Sequence, residues 1–527
     1  MSTTTAQPSL SERVAGAIFW NTLAFPVKAV IKFSSGLVIL WALSRDQYGV
    51  FQATLGSLVA TMWIFTGLGI SASILKFVPE VMERQGVVGV GRFLRTLFAL
   101  RLTLLLAVVV GLNLYSGAVV NFFNLGANGL FLLRAGSALV LMRAGTDTCT
   151  RVLTAYFKQK ATNTLDIVST MVQPLLIIVL VPGGWGLGWG IRGAAIALLA
   201  GAGLDLFLAV LTMRRALQRL PTRLTVAQPV ERLWQRFRSN ALMNYVMDLS
   251  INITSPDFVA LLLLWLARPG DLADIEAGWN QVIVLLTYLV LPLNGIYVPM
   301  FSEIFARRDD HKLQPAYATL TRALLLATVP AGVGFITLAP QAFTLLNLAD
   351  KYPQAAASAQ LLTFFLFAES IVVVPHVILM VYERYRVVMA SRLLAVLSAP
   401  LIVWVVTETR SPIYAALSIG FLRLASRAVL TPYAARKFGL RFPWRFCARL
   451  LVPSLVFAVV LRLLDEYLPV LSDQAFSRNA WHLGALIAIG ITIFAVGFKA
   501  LGGLDADDRA RLATMRIPFR KLMLRYL

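Results

Sequence analysis

Long apolar runs alternate along this chain with short polar clusters, most of them basic. A bilayer core is crossed by about 20 apolar helical residues. On that ruler the runs mark fourteen spans, near 15–42, 48–75, 94–114, 130–156, 165–183, 193–213, 239–266, 278–301, 317–346, 356–382, 387–407, 412–433, 446–463 and 480–499. The fourth and seventh are the most polar. The pattern predicts an all-α integral membrane protein whose helices are joined by mostly short loops.

The polar clusters carry a second pattern. With the N-terminus placed in the cytoplasm, the even-numbered helices return to loops holding Lys76, Arg84, Arg92 and Arg95, then Arg151, Lys158 and Lys160, then the arginines of 214–238. Arg307, Arg308 and Lys312 follow, then Arg384, Arg386 and Arg392, then Arg436, Lys437 and Arg441. The opposite loops hold far fewer, among them Arg45, Arg192, Arg268 and Lys351, and the one reading "ARPGDLADIEAG" is mainly acidic. Positive charge collects on the cytoplasmic side of membrane proteins. The alternation therefore fixes an even span count and both termini cytoplasmic, as a multi-pass membrane protein. The basic tail 501–527 is mildly amphipathic and suits the anionic inner leaflet, so membrane lipids are expected neighbours.

Composition sharpens this without changing it. Of 527 residues, 58% are hydrophobic and only 14% charged, and the mean hydropathy is +0.74. The net charge of +22 raises the question of nucleic acid. The confinement of basic residues to clusters between spans excludes that partner. Three histidines without paired spacing and two distant cysteines, Cys149 and Cys447, give no metal site, and no cofactor motif stands out.

The longest cytoplasmic connection, 214–238, divides the chain. It predicts an N-terminal six-helix bundle over 1–213, a linker, a C-terminal six-helix bundle over 239–433, two added helices within 434–500 and the tail. A faint echo supports two pseudo-symmetric bundles about a central cleft. "WAL" at Trp41 pairs with "WLA" at Trp265, 224 positions on, and "VPEVMER" (78–84) pairs with "FSEIFAR" (301–307) at an offset of 223. Duplicated bundles are common among transporters.

Several stretches carry a resemblance. "LSRDQYGVFQATLGSLVATMWIFTGLGISASILKFVPE" (43–80) resembles the start of the polysaccharide (oligosaccharide) flippases, with their "YG" at the second helix and "GLG" in its outer half. "LVLPLNGIYVPMFSEIFARRDDHKL" (289–313) is similar to that family's eighth helix, "GWGIRGAAIALLAGAGLDL" to its sixth and "SPIYAALSIGFLRLASRAVLTPYAARKFGL" to its twelfth. The family belongs to the superfamily of multidrug and toxin extruders and lipid II flippases. The resemblance implies a prokaryotic inner-membrane exporter that flips an oligosaccharide on polyprenyl pyrophosphate for surface polysaccharide, with polysaccharide assembly proteins as possible partners.

"GWGIRG" (188–193) is a literal G-x-G-x-x-G, but it follows a membrane span, so its glycines are read as a turn and close packing rather than a dinucleotide fingerprint. At 100° per residue, Asn21, Lys28, Lys32 and Ser35 share one stripe of helix 1. Asn244, Asp248, Asn252 and Ser255 share one of helix 7. Polar groups inside a membrane face a partner or water. These stripes either line a hydrated cleft that holds a ligand, or Lys28 pairs with Asp248 while Lys32 snorkels. On helix 4, Arg143, Asp147 and Arg151 recur at i, i+4 and i+8, either as anion ligands or as an intrahelical ion pair with Arg151 interfacial. Arg423 and Arg427 are turn-spaced on helix 12, Arg423 deep and Arg427 near the membrane surface. Glu369, His376 and Glu383 share a face of helix 10 and are candidates for a coupling ion, with Glu369 equally a partner for Arg423. Asp257 is a further coupling candidate, and the roles of Asp257 and Asp205 stay open. Arg101, Arg134 and Asp166 are placed at helix ends.

No large external loop and no hydrolase or nucleotide-binding motif is present, so an enzyme is not expected. The reading is a flippase of lipid-linked oligosaccharide working by alternating access. The alternatives are a multidrug extruder of the same superfamily, a membrane glycosyltransferase or polymerase, and an assembly scaffold.

Overall fold

The computed structural model describes residues 31, 33–155, 159–184, 186–218, 233–467 and 476–504. Asn21, Lys28 and Lys32 lie outside them, as do most of the first expected span, residues 219–232 of the expected linker and tail residues 505–527.

Every described element is a helix, as a lipid environment demands of segments that must satisfy their own backbone polar groups. The order is α1 (Phe33–Ala42), α2 (Arg45–Phe51), a π-helical stretch (Gln52–Leu58), α3 (Val59–Gly67), α4 (Ile70–Leu114), α5 (Ser116–Phe122), α6 (Gly129–Ala155), α7 (Gln159–Leu180), α8 (Gly190–Gln218), α9 (Leu233–Ile253) and α10 (Pro256–Trp265). Then come α11 (Pro269–Arg307), α12 (Leu313–Leu345), α13 (Ala355–Val381), α14 (Tyr385–Leu397), α15 (Ala399–Thr409), α16 (Pro412–Ala428), α17 (Leu430–Phe438), α18 (Trp444–Tyr467) and α19 (Phe476–Ala500). Among the described residues ten helices are long and apolar enough to cross a membrane, or eleven if the bent pair α9–α10 is one span. The chain is an all-α membrane protein.

Local chemistry sets the breaks. Ser44 caps α2, accepting from the Gln47 backbone N–H while the Gln47 side chain accepts from the Ser44 N–H. The expected second span, 48–75, is cut short after Gly67, because Leu68 and Gly69 are both left-handed (φ 45° and 66°). A Cβ on Gly69 would fall 2.0 Å from the Ala241 carbonyl oxygen, so α4 can start against α9 only with glycine there. α4 breaks again at Gly86 (φ 63°), and a membrane-length segment runs from Val88 to Leu114 rather than from 94. The expected seventh span is bent by 54° between α9 and α10, where Ser255 accepts from the Asp257 N–H and Pro256 takes the first helical position. In "GWGIRG", Gly188 (φ 69°) turns the chain. Gly193 in the same string approaches the backbone of α7, where a Cβ would lie 2.7 Å from the Leu180 oxygen.

The chain folds into two compact units, residues 1–273 with 395–408, and residues 274–394 with 409–527. In the first, Ile70, Phe77, Val81, Phe93 and Leu97 of α4 pack with Phe237 and Ala241 of α9. In the second, Tyr297, Phe301, Tyr317, Leu324, Val374, Ile378 and Leu430 tie α11 to α12, α13 and α17. A further cluster of Leu325, Phe446, Leu450, Phe457, Phe494 and Phe498 binds α18 and α19 onto α12.

Candidate functional site

In the first unit, α6 packs against α3, α4 and α8. Where α6 meets α3 and α8 lies a cavity of about 340 Å³. Val59, Ala60 and Trp63 of α3 form an apolar wall, Arg143, Thr146 and Asp147 of α6 a polar one, and Asp205 comes from α8. The i, i+4, i+8 spacing keeps Arg143, Asp147 and Arg151 on one face of α6, as expected for a 3.6-residue period.

Asp147 is fully engaged. Arg151 donates to its Oδ1 at 3.2 Å, and Arg101 of α4 donates to its Oδ2 at 3.2 Å. Ser71 also donates to Oδ2, at 2.5 Å, and Arg101 binds Ser71 (2.8 Å) and Thr148 (2.9 Å) as well. Arg101 is only 3% exposed, which corrects its expected place at a helix end. It sits midway along the segment Val88–Leu114, whose start the Gly86 break sets earlier than the apolar run alone suggests.

Arg143 contrasts with this. It is exposed, lines the cavity, and makes no hydrogen bond or ion pair among the described residues. Beside it the Thr146 hydroxyl is buried without a partner. The cavity thus presents one guanidinium that no described residue engages, with Asp205 among its other lining residues.

The polar stripe of α9 faces α3 and α4. Ser73 donates to Asn240 at 3.0 Å, Asn244 donates to Asn240 at 3.0 Å and to Ser73 at 3.3 Å, and Asn252 donates to Thr61 at 3.4 Å. Asp248 lies close enough to feel the charges of Arg151 and Asp147. The structure therefore brings Asp248 toward the α6 charges; its alternative partner Lys28 lies outside the described residues. Asp257 accepts from Ser255 at 3.2 Å, away from any basic side chain that bonds it among the described residues.

The second unit holds a different cluster. Glu369 of α13, 4% exposed, accepts from the Arg423 Nε at 2.5 Å and is ion-paired with Arg427, both on α16. Arg427 is 13% exposed and paired with Glu369, so its charge is turned into the helix bundle. Arg423 also lies over the Trp279 ring of α11, 5.6 Å from its centroid. Arg392 of α14, 3% exposed, is brought to the same group where Ser391, next to it, donates to the Ser426 carbonyl, next to Arg427, and buried His376 lies close enough to feel the charges of Arg392 and Arg427. Glu383 does not share this face. It lies beyond the end of α13 in a left-handed, exposed turn.

No family profile and no curated protein matches the chain. Solved structures do. A lipid II flippase MurJ in an inward closed conformation superposes with a TM-score of 0.69 at 14% identity, over 91% of this chain and 98% of that one. A MATE-family multidrug resistance transporter of the MOP superfamily, inward-facing, gives 0.60 at 13%, over 79% and 97%. An outward-facing MATE structure gives 0.54 at 14%, over 83% and 99%. The likeness is one of fold. It agrees with the all-α membrane architecture read from the apolar pattern, and the chemistry has to come from the side chains.

Sequence reasoning missed Arg101, Ser71, Arg392 and Trp279 as members of these clusters. For Arg101 a signal existed: it is the lone charge in the apolar run "FALRLTLLL".

Proposed function

We propose that this chain is a flippase that moves a lipid-linked oligosaccharide, carried on polyprenyl pyrophosphate, across the plasma membrane of a prokaryote by alternating access. The observation that carries the reading is Arg143, an unengaged guanidinium at the membrane-embedded cavity of the first unit. A lone cation in such a place is costly and marks a site for an anion. Guanidinium binds phosphate oxygens through two parallel N–H donors. Trp63 gives the apolar area that ligand sites need beside a few polar groups.

Asp147 is neutralised by Arg101 and Arg151 and so does not cancel Arg143. That balance disfavours a cation-extruding transporter, which would present carboxylates to its cargo, although Asp205 at the same cavity leaves one acid for that reading. The twin-bundle resemblance of the sequence and the MurJ-like fold both fit cargo whose lipid tail stays in the bilayer. In this reading Lys28 and Lys32 are further anion ligands.

Proteoliposomes loaded with a fluorescent polyprenyl-pyrophosphate oligosaccharide, and separately with a lipophilic cationic dye, test the reading. Movement of the anionic lipid that collapses in Arg143→Gln supports it. Movement of the dye alone makes the chain a cation extruder.

A further inference from the structure

The cluster in the second unit has more positive charge than its own carboxylate can meet. Arg423 and Arg427 share Glu369, and Arg392 stands beside them with no hydrogen bond or ion pair among the described residues. The Arg392 Nε is buried without an acceptor, as are the Arg427 Nε and the His376 Nδ1. Three guanidiniums against one carboxylate leave a formal surplus of two positive charges, on side chains that are 3–15% exposed. Arginine does not shed its proton to escape burial. An uncompensated charge in a membrane interior is destabilising by several kcal/mol, and water supplies dipoles but no counter-charge.

We infer that this cluster holds a small inorganic anion of the halide class, bound by Arg392 and Arg427 within the second unit. The depth of the group favours a monovalent ion that gives up its water readily over a polyatomic phosphate. The geometry explains why Arg392 stands beside two other arginines. Arg423 spends its Nε on Glu369 and Arg427 one nitrogen on the same carboxylate, whereas the Nε atoms of Arg392 and Arg427 are buried without an acceptor, so those two side chains are the ones left to bind. The bound anion would be a structural counter-ion that lets α13, α14 and α16 pack, and its binding requires no cargo.

The test uses the purified full-length protein in potassium chloride, bromide or gluconate at equal ionic strength, without any lipid-linked sugar. A ligand that binds only the folded state raises the melting temperature. Chloride and bromide are expected to raise it over gluconate by about 1–3 °C, and Arg392→Gln is expected to lose that increment. Bromide-soaked crystals of the unmodified protein should show an anomalous peak beside Arg392 and Arg427, an arm that stands even if the variant does not fold. Equal melting in halide and gluconate with no bromide peak overturns the inference, and so does an undiminished halide increment in Arg392→Gln. Because cargo is absent, failure here leaves the flippase reading intact, and loss of lipid movement in Arg143→Gln leaves this site intact.

Discussion

Two arginines one turn above and below Asp147 on the same helix have opposite surroundings, and only their partners distinguish them. Arg151 is tied to Asp147, whereas Arg143 is tied to nothing among the described residues. Removing Arg143 therefore removes no native bond. We expect Arg143→Gln to lower movement of a pyrophosphate-linked lipid at least tenfold, about the effect of losing one charge-assisted contact, while leaving the melting temperature unchanged. Arg143→Lys should recover only part of it, since a single ammonium cannot fork. Asp147→Asn should behave in the opposite way. It strands Arg101, 3% exposed, and costs about 3 kcal/mol of stability. Adding Arg101→Gln to Asp147→Asn should recover part of that loss, so a double-mutant cycle followed by thermal or chemical unfolding should show strong non-additivity. Additive losses would mean that the pair is not coupled.

Breaks, rather than helix interiors, position the polar groups. The left-handed step at Leu68 and Gly69 ends α3 and starts α4, which places Ser71 and Ser73 within reach of α6 and α9. Gly69→Ala should be severely destabilising, by more than about 2 kcal/mol, because the backbone is left-handed and the Ala241 oxygen occupies the Cβ position. Gly67→Ala, two residues away with open space around it, should be neutral or slightly stabilising. Comparable melting of the two variants would rule out the α4–α9 approach described above. The same logic explains a misplacement at the level of elements. Arg101 reads as terminal when a span is ruled off from the apolar run alone, and becomes central once Gly86 is seen to start the segment. Residue propensities do not announce that break, because Gly86 has glycines at 89 and 91 nearby that stay helical.

For the whole molecule, the distribution of lysine and arginine argues for cytoplasmic termini, since each charge left on the wrong side must be driven across the bilayer. We expect cysteines introduced at Ser2 and at Leu527 to react with an impermeant thiol reagent only from the cytoplasmic side. Labelling of only one of them from outside would break the even span count, and labelling of both from outside would invert the orientation. The overall fold was legible in the sequence because its cause is one-dimensional. Runs of about 20 apolar residues have no alternative to crossing as helices, and the described helices α6, α8, α12, α13, α18 and α19 fall within a few residues of the expected spans.

What the sequence determined by itself was therefore the class of the protein, its many spans, and the faces of α6 and α9 on which the polar side chains lie. What only the tertiary structure decided was which charge meets which. Asp147 goes to Arg101 on α4, a partner 46 positions away, and Arg427, 58 positions from Glu369, joins the Glu369–Arg423 pairing that the sequence already offered. Helical period fixes the face on which a side chain lies, but the identity of its neighbour depends on how separate helices pack, through glycine contacts and bends whose effect is three-dimensional. For that reason the surplus charge at Arg143 and Arg392, on which the functional readings rest, appears only when the partners of every other charge have been assigned.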